Sequence, residues 1–197
     1  MMIRVGTRTL AIVLLALAAT ACQTQDKKAQ PSYVSSSPNI DGPAKLASEV
    51  REQGYFIEFR SRYALSYGHS YVVFGRIDKN GSMINPEVAG LAPATNDTAP
   101  YVIGHFLPVP AETGWSDGDL EEGYRSASWR IMLTEAEYNK VVADIRKLKA
   151  KARFWHASLY NCNAFVAEIA RSMGYQAPNI WLRPQEFITK LRQMNGG

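Results

Sequence analysis

The stretch Gly68-His69-Ser70-Tyr71-Val72-Val73-Phe74-Gly75-Arg76-Ile77-Asp78-Lys79-Asn80-Gly81 decides the fold. From His69 to Ile77 it is rich in β-branched and aromatic side chains, which pack well on a pleated surface, so it reads as a strand. Asn80-Gly81 accepts the positive φ angles of a tight hairpin, so the chain turns back on itself there. The expected return strand is Ser82 to Asn85, stopped by Pro86, which has no N–H to give to a ladder. Tyr55-Phe56-Ile57-Glu58-Phe59 has the same character upstream. Tyr101 to Leu107 and Tyr124 to Leu133 read as further strands.

Helices follow the sheet. Thr134-Glu135-Ala136-Glu137 has the capping-box pattern and opens a helix with Val141, Val142, Ile145 and Leu148 on one face. A second helix starts near Asn161, with Phe165, Val166, Ile169, Ala170 and Met173 at helical spacing and Gly174 as its stop. Pro184 begins a last short helix that runs to Met194. Residues 86–100, with three prolines, and 108–123, rich in Gly and Asp, read as loops. The expectation is one α+β domain over residues 43–197, an antiparallel sheet packed against helices, with Pro43 to Gln53 as a short leading helix.

What precedes the domain reads as an address. Arg4 and Arg8 precede a ten-residue apolar run, Leu10 to Ala19, too short to span a bilayer, and Ala19-Thr20-Ala21-Cys22 follows. This junction resembles the lipobox of bacterial lipoproteins. The resemblance implies a signal peptide over 1–21 and a mature chain beginning at Cys22. It also implies lipid on the Cys22 sulfur and, with Gln23 in place of Asp, the outer membrane facing the periplasm. The alternative is a plain secreted protein cut at the same small residues. Residues 22–42, rich in Gln, Ser, Lys and Pro, read as a flexible tether.

Of 197 residues, 22 are Lys or Arg and 18 Asp or Glu; loss of Arg4 and Arg8 with the leader leaves 20 basic residues and a net charge of +2. The one basic stretch, Arg146 to Arg153, falls at a helix end, where cations suit the dipole, so nucleic acid is not an expected partner. No His, Cys or acid cluster has metal-ligand spacing and no glycine-rich phosphate loop occurs, so neither metal nor cofactor is expected.

With Cys22 lipidated, Cys162 is the only remaining thiol, in an oxidising envelope. It follows Asn161, a favoured N-cap, which puts its sulfur in the first turn of a helix. There the orphan N–H groups lower a thiol pKa and can hold an oxyanion. Acyl transfer also needs a group that moves protons, usually His. His69 heads a rigid strand and is the candidate. His105 reads as a supporting or core residue, and His156, among Phe154, Trp155 and Leu159, as structural.

Gly68 to Gly75, followed far downstream by Tyr160-Asn161-Cys162-Asn163-Ala164-Phe165, resembles the circularly permuted papain-like superfamily. That group takes in relatives of the NlpC-type cell-wall peptidases, the lecithin retinol acyltransferase-like proteins and the PPPDE peptidases. The resemblance implies a His strand ahead of a Cys helix, with Cys162 as nucleophile and His69 as base. A polar third residue, implied at the end of the next strand, falls on Asn85, with Glu87 as its competitor. The function so implied is an envelope-anchored thiol hydrolase or acyltransferase acting on an amide or ester of peptides, peptidoglycan or lipids. The alternatives are a non-enzymatic ligand- or partner-binding lipoprotein on the same fold, and a structural lipoprotein. Trp115 and Asp117, in the loops expected to set specificity, are candidates to line a cleft.

Overall fold

The computed structural model describes residues 54–64, 67–95 and 97–197. The expected signal peptide, Cys22, the tether and the leading helix at 43–53 lie outside the described residues. The described part is α+β. Four antiparallel strands form the main sheet in the order β3-β2-β1-β6: β1 (Gly54–Arg62), β2 (His69–Ile77), β3 (Met83–Gly90) and β6 (Arg125–Leu133). A smaller sheet joins β4 (Ala92–Pro93), β5 (Val109–Glu112) and β7 (Phe154–Trp155). Helices α1 (Thr98–Ile103), α2 (Glu135–Lys151), α3 (Cys162–Ser172) and α4 (Pro184–Met194) complete it.

Alternation along the strands separates two faces. Ile57 and Phe59 of β1, Val72 and Phe74 of β2, and Trp129 of β6 share one core with Val141 and Ile145 of α2, Phe165 and Ile169 of α3, and Phe187 and Leu191 of α4. Each fully buried side chain of this kind contributes about 1.5–3 kcal/mol. Phe56, Tyr71, Val73 and Val88 form a second cluster on the opposite face. Beside them Glu58, fully buried, meets Arg60 at 3.0 Å, Arg130 at 2.6 Å and Arg125 at 3.4 Å. Burial alone would push the Glu58 carboxyl up, but the charges and hydrogen bonds of Arg60 and Arg130 outweigh it and hold the group below its ordinary value.

The helix signals held. Thr134 Oγ1 accepts from the Glu137 N–H while Glu137 reaches back to the Thr134 N–H at 2.8 Å. Gly174, at φ +89°, follows the end of α3, and Pro184 opens α4.

Three expectations for the segments between them did not hold. The return strand does not stop at Pro86. The ladder pairs Phe74 with Glu87 and Arg76 with Ile84, so Asn85 and Pro86 together oppose Gly75 in a bulge. Asn85 takes φ +45° there, and a Cβ on Gly75 would stand 3.3 Å from the Pro86 Cα. β3 is at the sheet edge, where the missing N–H of Pro86 leaves no partner unsatisfied. Second, Tyr101 to Leu107 is not a strand: Tyr101 lies in α1 and packs edge-on to Trp155 at 5.8 Å. Pro100 sits in the first turn of α1, where no intrahelical donor is needed, so its ring permits a helix that the β-branched Val102 and Ile103 argue against. Third, the stretches read as loops contain β4 and β5, too short to carry a pattern.

Candidate functional site

The site lies at the sheet end where Arg62 of β1 pairs with His69 of β2 and where α3 begins. Asn161 caps α3: its Oδ1 accepts from the Ala164 N–H at 3.0 Å. Both Nδ2 protons of Asn161 are also engaged, by Ala157 O at 2.8 Å and Ile180 O at 3.2 Å. Asn161 therefore shapes the helix start and has no proton left for an oxyanion. The backbone N–H groups of Cys162 and Asn163, in the first turn, have no intrahelical acceptor.

Asn163 is fully buried and saturated. Its Oδ1 accepts from Ser70 Oγ at 2.7 Å, and its Nδ2 donates to Ile180 O at 3.0 Å and Leu182 O at 2.7 Å. One amide thus joins the His strand, the Cys helix and the 180–182 segment. Sequence reading gave Asn163 no role beyond its place in the motif, although its neighbour Cys162 had drawn attention to it.

Cys162 is a free thiol, 5% exposed, and His69 is 8% exposed. Burial by itself pushes the Cys162 thiol up. The hydrogen bond and charge of His69, with hydrogen bonds from the Ser70 side chain and backbone, outweigh burial and bring it below the ordinary thiol value. Two tyrosines sense this charge. Burial raises the phenols of Tyr67 and Tyr101, and Cys162 raises both further. The Tyr67 hydroxyl donates to Leu182 O at 3.3 Å.

The third position is not where sequence placed it. Asn85 sits opposite Gly75, six residues along β2 from His69, or roughly 20 Å at the rise of a strand. Glu87, opposite Phe74, is turned to Arg146 of α2 at 2.9 Å. Neither reaches the imidazole, because β3 runs on through Pro86 and brings Gly90 to the His69 end instead. Among the described residues, no carboxylate or amide hydrogen-bonds the His69 ring. The ring stacks on Tyr71 with centroids 5.6 Å apart and planes 13° apart, and its Nε2 edge lies so near Gly90 that an added Cβ would stand 2.8 Å from it. Tyr71 is itself fixed, since its hydroxyl donates to Asp119 O at 2.6 Å, and Asp119 is held by Arg62 Nε at 2.7 Å and the Ser116 N–H at 2.8 Å. Packing orients this imidazole where a hydrogen bond was expected to. Nothing in the sequence marks Gly90 or Tyr71 as part of the site; only the register reveals them.

The other histidines stand apart from the thiol chemistry. His105 Nδ1 lies 2.9 Å from Tyr101 O, within its own turn, and His156 Nδ1 accepts from the Ser158 N–H at 3.2 Å. Trp115 is exposed on the 113–121 loop. Among the described residues no cluster of His, Cys, Asp or Glu is arranged to hold a metal ion. Compared with known protein families, curated proteins and solved structures, the chain matches none.

Proposed function

We propose that this chain is an envelope-anchored thiol hydrolase or acyltransferase built on a permuted papain-like fold, with Cys162 as nucleophile and His69 as its proton-transfer partner. The observation that carries the reading is the contact of a helix-N-terminal thiol with an imidazole that lowers its pKa. The order of a His strand before a Cys helix, on an antiparallel sheet backed by helices, supports the papain-like assignment. The Ala19-Thr20-Ala21-Cys22 junction supports a lipid anchor, and with it a substrate at the envelope.

In this mechanism the Cys162 thiolate attacks the carbonyl carbon of an amide or ester. A C–S bond forms, and the carbonyl electrons move to an oxygen held by the Cys162 and Asn163 N–H groups. Collapse breaks the C–N or C–O bond while the imidazolium of His69 gives its proton to the leaving group. Water or an acceptor alcohol or amine, deprotonated by His69, then attacks the thioester and frees the thiolate.

A second reading is a binding module with the same cleft. It draws on the low exposure of Cys162 and on an imidazole without a polar orienter. Iodoacetamide alkylation of Cys162 against pH, in the parent and in His69→Ala, separates the two. The enzyme reading expects a midpoint below the ordinary thiol value of about 8.5 in the parent and a rise in the variant. A midpoint near 8.5 in both favours the module.

A further inference from the structure

The rim of the thiol site carries an unusual amount of bare apolar surface. Ile103, Phe106, Leu107, Phe154, Leu159 and Trp181 are between 48% and 78% exposed. They come from four separate segments that contact links tie into one surface. The Ala157 N–H donates to Gly104 O at 2.9 Å, and Trp155 packs so closely on Gly104 that an added Cβ would come within contact distance of its ring. Phe154 pairs with Pro110 in the small sheet, and the Trp181 indole N–H donates to Ser158 O at 2.8 Å, which leaves its ring outward. Single exposed apolar residues are ordinary, but a contiguous group is a mark of an interaction surface.

We propose that this surface docks on a lipid bilayer and so presents Cys162 to the membrane interface. The side chains stand on turns and short elements as separate exposed prongs, a form that suits insertion among lipid headgroups. Trp181 has an apolar ring outside and its polar N–H already satisfied, as suits an interfacial anchor. Arg153, which directly precedes Phe154, and Arg183, two residues after Trp181 with its guanidinium 6.0 Å from the Tyr67 ring centroid, are both exposed, cations of the kind that suits anionic headgroups.

The chain outside the described residues allows the orientation. The thiol site lies at the Arg62 end of β1, roughly 26 Å from Gly54 along the strand. Thirty-one residues separate Cys22 from Gly54, a contour of about 100 Å when extended. A chain of that reach lets the domain turn the end opposite its attachment onto the membrane. Docking does not depend on Cys162 being catalytic.

The test uses the full chain with Cys22→Ser, which cannot carry lipid, and vesicles of phosphatidylethanolamine with phosphatidylglycerol. The parent for this comparison should co-sediment with the vesicles. Adding Phe106→Ser, Leu107→Ser and Trp181→Ser should weaken binding about tenfold or more, with unchanged melting temperature and unchanged Cys162 alkylation in solution. Brominated lipid should quench fluorescence in the chain with Trp181 and far less in Trp181→Phe. Equal binding by the triple variant, or quenching that survives Trp181→Phe, overturns docking by this surface. Self-association that the triple variant abolishes, without vesicle binding, overturns it in favour of a second copy. Altered alkylation in His69→Ala bears on the catalytic reading alone, so the two fail separately.

Discussion

The Nε2 atom of His69 lies 2.8 Å from the point where a Cβ on Gly90 would stand. Real Cβ atoms do not approach so closely, so Gly90→Ala must displace something. The yielding group is the far end of the His69 side chain, which can swing away at modest cost. The expected result is a stability loss of about 1 kcal/mol together with a Cys162 alkylation midpoint shifted upward toward that of His69→Ala. A melting curve and a pH series of alkylation rates check both, and an unmoved midpoint would mean that the ring position does not matter to the thiol.

Asn163→Ala removes three hydrogen bonds at once and leaves Ser70 Oγ, Ile180 O and Leu182 O without this partner. Buried groups stranded in this way should lower stability by about 3 kcal/mol, or roughly ten degrees in melting temperature. The 180–182 segment should loosen first. Hydrogen exchange in residues 180–183 that is unaltered by the substitution counts against the clamp.

The lowered Cys162 pKa makes a signed prediction for stability. The folded state binds the thiol proton less tightly than the unfolded chain does, where the value is about 8.5. The contribution of this group is therefore fully present above that unfolded value and is lost as pH falls through the folded value. Denaturant midpoints of the parent measured against Cys162→Ser should diverge in the parent's favour as pH rises across that window. A constant difference at all pH values contradicts it.

Asn85→Ala should leave the alkylation midpoint of Cys162 unchanged, because its bulge position is far from the imidazole. It should instead cost about 1 kcal/mol, the penalty for a Cβ residue without Asn's local hydrogen bonding at φ +45°. Asn85→Gly should stabilise relative to Asn85→Ala. A shifted midpoint in either variant would contradict the separation of Asn85 from the imidazole.

The strand from His69 to Ile77, the capping box at Thr134 and the helix that starts after Asn161 were legible because each rests on local chemistry: period, cap and stop. That same local chemistry brought Cys162 and His69 forward as candidates, and the fold places them in contact. Asn85 was misplaced because a proline was taken to end a strand, whereas an edge strand with a bulge runs through it. The same bulge hides Gly90, which pairs with Tyr71 and meets the His69 ring, since register counts every residue between turn and site. Tyr101 misled for a different reason. Its β-branched neighbours favour a strand, and only the distant Trp155 and the close approach at Gly104 make a helix the better packing. Asn163 acts through partners 17 to 93 positions away in sequence, Gly90 and Tyr71 across a ladder, and no local pattern announces them.

The buried Glu58 among its arginines has a consequence for fidelity. Along β1 a slip of a single residue would carry Glu58 and Arg60 together to the helix side, against Phe165 and Ile169, and leave Arg125 and Arg130 of β6 behind on the far side. Burying that pair among apolar side chains without Arg125 and Arg130 costs several kcal/mol and disfavours the neighbouring alignments of the sheet. Because Arg62 and His69 are partners in that alignment, the charge cluster in the middle of the strand ensures that molecules emerging from folding carry the same imidazole at the same place beside the thiol.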